Sequence, residues 1–147
     1  MEGERNRAAV KRLIEEGFGQ GNLAVVDEIV DAAVLEHQPG MDPANGEGVK
    51  RTIRLLHAAF PDFAVTVQHI TAEGDFVWIH FTAQGTHLGP LLGPFGRKPP
   101  TGKPMRIDVM DLARCRDGRI VEHWGVPDRF TQLLQLGLLP QPEAAQT

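Results

Sequence analysis

Tyrosine is absent from the 147 residues, cysteine occurs once, tryptophan occurs twice, and acidic residues only slightly outnumber basic ones. Each shortage excludes something. The lone Cys115 cannot form an intrachain disulfide, which rules out a disulfide-stapled miniprotein and suits a reducing compartment. No apolar run approaches the ~20 residues needed to span a bilayer, and Met1 to Val10 carry no apolar signal-peptide core. No membrane partner and a cytoplasmic location are therefore expected. Nineteen Asp and Glu against fifteen Lys and Arg give a formal charge of -4 and a pI near 5.8, a balance that argues against a general nucleic-acid binder. There is no G-x-S-x-G elbow, Walker loop or dinucleotide fingerprint, and no two His stand at the i, i+4 spacing of helical metal ligands. No metal and no nucleophilic catalysis are expected. Without Tyr, any stacking on a ligand falls to Phe, Trp or His.

Hydrophobic residues make up 41% of the chain and charged ones 23%, the proportions of an ordinary globular domain. A chain this long buries roughly 68–70% of its unfolded surface, enough for one sizeable core. The first half reads as helices. Val10, Leu13, Ile14 and Phe18 recur at i, i+3, i+4 and i+8, and Gly19 and Gly21 end that helix. Asn22 is the expected N-cap of a second short helix carrying Leu23, Val26, Ile29 and Val30, which stops near residues 31–35. After a polar loop from His37 to Gly46, Val49, Ile53, Leu56 and Phe60 mark a third amphipathic helix closed off by Pro61.

From Phe63 the period changes to two. Phe63, Val65, Val67 and His69 alternate with polar neighbours, and after the Glu73-Gly74-Asp75 turn a second strand runs from Phe76 to His87. Leu88 to Pro104 holds four Gly and five Pro, which reads as a lid or long hairpin loop. Strands at Met105 to Arg114 and Arg119 to Val126 flank Asp117-Gly118, a hairpin dipeptide, and Asp128 can cap a final helix bearing Phe130, Leu133, Leu134 and Leu138. Helices first and an antiparallel sheet afterwards is an α+β order, with helices covering one sheet face. One domain over residues 1–139 and a flexible tail over 140–147 are expected.

Alternation along the strands sorts the polar exceptions. Val77, Ile79, Phe81, Ala83, Gly85 and His87 share one face; so do Ile107, Val109, Asp111 and Ala113, and so do Val121, His123 and Gly125. Asp111, His123 and His87 are thus titratable side chains on otherwise apolar, inward sets. Cys115 is assigned the opposite parity. Trp78, His80, Asp108, Glu122 and Trp124 fall on the outer face, and two Trp there are better explained by burial between subunits than by exposure, so a homodimer through this face is expected.

The segments GTHLG (Gly85 to Gly89), PPTGK (Pro99 to Lys103) and DLARCRDGRIVEHWG (Asp111 to Gly125), in that order, resemble the SnoaL-like polyketide cyclases. Ile14-Glu15-Glu16, Gln20-Gly21-Asn22-Leu23, Val25-Val26-Asp27-Glu28, Leu35-Glu36-His37 and Ala59-Phe60-Pro61-Asp62 are similar to the family's amino-terminal pattern, so the likeness runs from about Val10 to Gly137. The resemblance implies a nuclear transport factor 2-like cone. Three N-terminal helices would pack on a curved antiparallel sheet around an apolar pocket, with a short C-terminal helix, commonly as a homodimer. It also implies intramolecular aldol ring closure without metal or cofactor, using a pocket Asp as acid/base helped by a nearby His. Aligned on the RDGRI hairpin, that Asp position corresponds to Gly125 and the His position to Asp111, and the stretch from Gly93 through Pro94 and Phe95 to Lys98 lengthens the loop.

Aldol closure requires a base for an activated methylene, an acid for the developing alkoxide and walls that hold the two carbons together. Asp111 with His87 or His123 is the expected catalytic set; the alternative is that Asp111 and a buried His merely order the hairpin. His37, at the implied pocket mouth, and Phe60 are expected to touch a small apolar ligand. Val77, Ile79, Phe81, Val109 and Gly125 are expected to line the pocket. Arg97, Lys98, Lys103 and Arg106 either meet an anionic group at the lid or form a solvated surface. A noncatalytic module that holds a hydrophobic metabolite, with Gly125 marking a missing acid/base, and a hydrolase or isomerase on the same cone stay open beside the enzyme reading.

Overall fold

The computed structural model describes residues 1–93 and 96–140. Pro94 and Phe95 of the long loop, and all of the expected tail beyond Pro140, lie outside the described residues. Helix α1 (Glu2–Arg12) continues as a π-helical segment, Leu13–Gly19, and the expected apolar stripe of Val10, Leu13 and Ile14 is buried on it. Asn22 caps α2 (Leu23–Ile29) as its residue type predicts, its side chain accepting from the Ala24 amide at 3.2 Å. Asn45 likewise caps α3 (Gly46–Ala59), and Asp128 caps α4 (Arg129–Gln135) by accepting from the Thr131 amide.

The second helix does not end in a loop. Val30–Glu36 forms strand β1, paired parallel to β7 (Arg119–Pro127), a pairing that hydrophobic alternation failed to reveal because Ala32, Ala33 and Leu35 are exposed. With β2 (Ala64–Glu73), β3 (Phe76–Thr86) and β6 (Pro104–Arg116) it makes a five-stranded sheet of order β1-β7-β6-β3-β2. Every pairing except β1 with β7 is antiparallel. Inside the long loop, β4 (Leu91–Gly93) and β5 (Gly96–Lys98) pair as a small separate ribbon.

The parity expected for β3 and β6 holds: Val77, Ile79, Phe81, Ala83, Ile107, Val109, Asp111 and Ala113 are all buried. Two bulges shift it elsewhere. A register break between Val67 and His69 turns His69 onto the outer face, where it meets the His80 ring at 3.1 Å. A second break, after Arg114, makes Ile120 the buried member of β7 in place of Val121. Cys115 is buried too, two residues beyond Ala113 on the regular alternation of β6, which corrects its assigned parity. The Asp117-Gly118 turn has positive φ at both residues, 52° and 74°, the geometry a type I′ hairpin requires.

The helices cover the inner sheet face, with Phe60, Ile53, Ile120 and Leu136 fully enclosed between them. Burial of one such side chain contributes about 1.5–3 kcal/mol. The outer face carries Trp78 at 54% and Met110 at 55% exposure. The long loop is pinned where it leaves the core: the Leu88 and Gly89 amides both donate to the Ala59 carbonyl at 3.1 Å, and a Cβ on Gly89 would fall 1.9 Å from the Ala58 oxygen. Gly89→Ala is expected to cost at least about 1–3 kcal/mol, the range for forced overpacking. Urea denaturation within 0.5 kcal/mol of the wild type would show that α3 can yield there.

Candidate active site

Three neighbouring strands each place one ionisable side chain in a row across the inner face. Register pairs Glu36 of β1 with His123 of β7, and His123 in turn lies diagonal to Asp111 of β6, whose own partner is Gly125. The side chains meet. His123 Nδ1 lies 2.7 and 2.9 Å from the two Glu36 carboxylate oxygens, and its Nε2 lies 2.9 Å from Asp111 Oδ2. The side chains of Glu36, Asp111 and His123 are 1%, 7% and 12% exposed.

A carboxylate only accepts hydrogen bonds, so both contacts are made when both ring nitrogens carry protons. Burial opposes that charge on His123, but the hydrogen bonds and charges of Asp111 and Glu36 outweigh it and hold the imidazolium pKa up at about 10. Two carboxylates around one imidazolium give the trio a formal charge of one negative unit. Asp111 Oδ2 is engaged by His123, whereas its other oxygen, Oδ1, is buried without a hydrogen-bond partner.

Asp111 lines two cavities. One, about 20 Å³, lies under α1 and the π segment and is walled by Val10, Leu13, Ile14 and Val34 together with Glu36 and His123. The other, about 70 Å³, is walled by Phe63, Phe81, Ile107 and Val109 and reaches Gln38, Arg129 and Gln132. Phe18 lines both, and so stands with Asp111 between them. A water needs at least about 10–15 Å³, so the first has room for one water and the second for a few, or for the end of an organic group. Gly125 leaves the space beside Asp111 to the side chain of Gln38. A Cβ there would lie 2.0 Å from Gln38 Oε1 and 3.0 Å from Asp111 Oδ1, so the Gln38 amide fills the room that a side chain at 125 would take.

The other expected site residues are distributed differently. Phe81 and Val109 line the larger cavity; Val77 and Ile79 are buried but line neither, although Ile79 is the β3 partner of Asp111. Phe60 packs against the His87 ring, 5.6 Å between centroids, and neither of them lines the two cavities. His87 does not meet Asp111. Its Nδ1 accepts from the Thr101 amide at 3.2 Å and meets the Thr101 hydroxyl at 3.0 Å, closing the neck of the long loop, and burial pushes its pKa below the usual imidazole value. His37 does not face the hollow either: it stacks on Trp124 at 4.8 Å and bonds Glu122 at 2.8 Å. The bond from His37, then that from Arg114, keeps the Glu122 carboxyl below its ordinary range.

Glu36, Gln38 and Arg129 are the site residues that the sequence reading missed. Once Val30–Glu36 is a strand, Val34, Glu36 and Gln38 follow the same two-residue period inward. Cys115 is no nucleophile, since burial, aided by the charge of Asp75, pushes its thiol up to about 11. Among the described residues no group of three or more His, Cys, Asp and Glu side chains is arranged to hold a metal ion.

The raised His123 pKa carries a stability consequence. Its pKa is 6.5 when unperturbed and about 10 in the folded chain, so its stabilising contribution is full below pH 6.5 and is lost as pH rises through about 10. Wild-type stability measured by urea denaturation is expected to fall across that window, and His123→Gln to show a flatter profile. His123→Leu, which leaves two buried carboxylates unpaired, is expected to cost about 3–5 kcal/mol at pH 7. Parallel pH profiles for wild type and His123→Gln would contradict a charged imidazole.

Comparison with known proteins connects this geometry to a family. The family model for the SnoaL-like polyketide cyclases matches residues 8–136. Aklanonic acid methyl ester cyclase DnrD of Streptomyces peucetius is 28% identical over 142 residues, covering 91% of this chain and 92% of that protein. Nogalonic acid methyl ester cyclase of Streptomyces nogalater is 29% identical over 126 residues, covering 82% and 89%. Among solved structures, IdmH of Streptomyces antibioticus superposes with a TM-score of 0.76 at 35% identity, covering 90% of this chain and 98% of its own. The similarity spans the helices, the sheet and the row of strands that holds the trio, and the chain belongs to the SnoaL-like polyketide cyclase family.

Proposed function

We propose that this chain is a cofactor-independent acid/base enzyme that closes a ring in a small, largely apolar carbonyl compound of the polyketide kind, with Asp111 as the base. The observation that carries the proposal is the division of labour within one carboxylate. Oδ2 is fixed by His123 while Oδ1 is buried and unpartnered in a residue that lines a cavity. A desolvated carboxylate oxygen with no donor of its own is suited to take a proton from carbon. DnrD and the nogalonic enzyme are named as cyclases of aklanonic and nogalonic acid methyl esters, which supports the same reaction class here.

In the proposed reaction Asp111 Oδ1 takes a proton from a methylene between carbonyl groups. The resulting enolate carbon forms a bond to a second carbonyl carbon, and the new alkoxide takes the proton back from Asp111. One C–H bond and the π bond of the second carbonyl are lost, one C–C bond and one O–H bond are gained, and no electron acceptor is consumed. His123, held from behind by Glu36, is a positioning residue that fixes the orientation of the Asp111 carboxylate. With about 70 Å³ available inside, only the reacting end of a substrate enters, and the remainder lies in the adjoining groove of about 410 Å³ between α3 and the β4–β5 ribbon.

Gly125 favours a second reading. By the family resemblance it stands at the cyclases' acid/base position, and in this reading a chain without that group only holds a hydrophobic metabolite. The carboxylate of Asp111, across the strand pair from Gly125, favours catalysis. With aklanonic or nogalonic acid methyl ester as substrate, Asp111→Asn is expected to lower kcat by about 10²–10⁴-fold while the fold persists. Binding without ring closure by the wild type would support the binding module, and a rate within twofold of wild type for Asp111→Asn would remove Asp111 from the mechanism. Because His123 must be charged to make both bonds, kcat/KM is expected to hold through pH 9 and to fall through about 10. An upper limb near 6.5 would show that the imidazole works neutral.

The proposal includes a cytoplasmic setting, which suits a single buried thiol, and a homodimer. Trp78, Met110 and Val126 form a solvent-facing apolar set on the outer face that a second copy would cover. Light scattering is expected to give twice the chain mass, and Trp78→Glu to give a monomer; a monomeric wild type would end the dimer proposal.

A further inference from the structure

One charged side chain at the hollow has no role in the chemistry just described. Arg129, the first residue of α4, lines both the inner cavity that Asp111 lines and the larger groove outside it, and so occupies their junction. Its place is fixed by the helix that carries it. The Asp128 cap holds one end of α4, and Gln135 clamps the other to β6 by accepting from the Arg106 amide at 2.7 Å and donating to the Arg106 carbonyl at 2.9 Å.

The Arg129 guanidinium makes no hydrogen bond or ion pair with any described residue. The nearest carboxylate in sequence, Asp128, is committed to the amide and hydroxyl of Thr131. Burial alone lowers the Arg129 pKa, with no acidic partner to offset it. Arginine is seldom left partly buried without a partner, because its desolvation is normally repaid by charged or bidentate acceptors. The outer groove has the same sign: Arg51 and Arg97 line it with Arg129, against one carboxylate, Asp42. In a chain of net charge -4 this mouth is locally positive.

We infer that Arg129 is a specificity residue that receives a carboxylate, or an equivalent planar oxyanion, on the substrate at the junction of groove and inner cavity. The enzyme thereby favours a carbonyl substrate that carries such an anion at this junction over its uncharged counterpart. The inference rests on the reading of this cavity as the substrate site. Guanidinium and carboxylate match in a two-bond fork, a geometry that a neutral ester cannot reproduce. The pairing also answers an electrostatic need. The Glu36–His123–Asp111 trio holds one net negative charge, so an anionic guest approaches it only with a cation beside its own charge, and Arg129 supplies that cation.

The test compares two probes of one shape, 2-naphthoate and 2-naphthamide, by isothermal titration calorimetry on the full chain. Wild type is expected to bind the carboxylate about tenfold or more tightly than the amide. Arg129→Gln is expected to remove that preference while changing amide binding less than twofold, Arg129→Lys to keep part of it, and Arg51→Gln to keep most of it. Equal affinity of the two probes for wild type, no measurable binding of either, or a preference that survives Arg129→Gln would each overturn the inference. The wild-type comparison stands even if a variant fails to fold. An absent acid preference in a chain whose turnover is lost in Asp111→Asn fails this inference alone. An intact preference in a chain that closes no ring fails the catalytic reading alone.

Discussion

One imidazolium set between two carboxylates joins the three strands that wall the hollow. The edge strand β1 needs that help: it is parallel to β7, its register breaks between Val30 and Leu35, and few ladder contacts remain at its far end. There the Glu36 side chain bonds His123, and the His37 amide donates to the His123 carbonyl at 2.9 Å. The same imidazole bonds Asp111 on the next strand. Burying three ionisable groups is costly unless each is paired, and removing one member leaves an uncompensated charge behind. The groups proposed to position the base therefore also hold the sheet edge, and substitutions there are expected to change stability and rate together.

Much of this was legible in the sequence, and the misses have identifiable physical causes. Period-two alternation placed Asp111, His123 and Gly125 on the inner face, since β6 and β7 are regular over that stretch. Alternation cannot anticipate an extra residue in a strand. The bulge near Val67 turned His69 outward, and the one after Arg114 exchanged Val121 for Ile120. Strand β1 was hidden because its exposed positions are Ala and Leu rather than polar residues, so its pattern resembles the end of a helix. With the strand unread, Glu36 passed as a loop residue and its neighbour His37 drew attention instead. His87 misled for a different reason. It has the inward parity of β3, but it lies just beyond the strand end, where Thr101 and Phe60 enclose it.

Gly125 and Asp111 are register partners, and that pairing bears on how a family site can move within a sheet. An acid on β7 at position 125 and an acid on β6 at position 111 point into the same space, because side chains directly opposite on antiparallel strands share a face. A Cβ at 125 would stand 3.0 Å from Asp111 Oδ1. The two carboxyl groups could not both occupy the hollow without strong mutual repulsion. Glycine on one strand is thus the complement of aspartate on the other, and the Gln38 amide takes up the vacated volume.

The dimensions of the hollow then separate recognition from reaction. An inner space of about 70 Å³ walled by Phe63, Phe81, Ile107 and Val109 excludes bulk water and strengthens every charge interaction within it, which favours proton transfer by a single carboxylate. It is too small to recognise a multi-ring compound by shape. Recognition must fall to the groove of about 410 Å³ outside, whose walls come from α3, the β4–β5 ribbon and the start of α4. Those elements are fixed differently from the trio. The ribbon hangs on the loop that His87 closes through Thr101 and that Gly89 anchors to α3, whereas the trio is built into the sheet. Changes in the loop can therefore alter which compound is held without disturbing the group proposed to remove its proton.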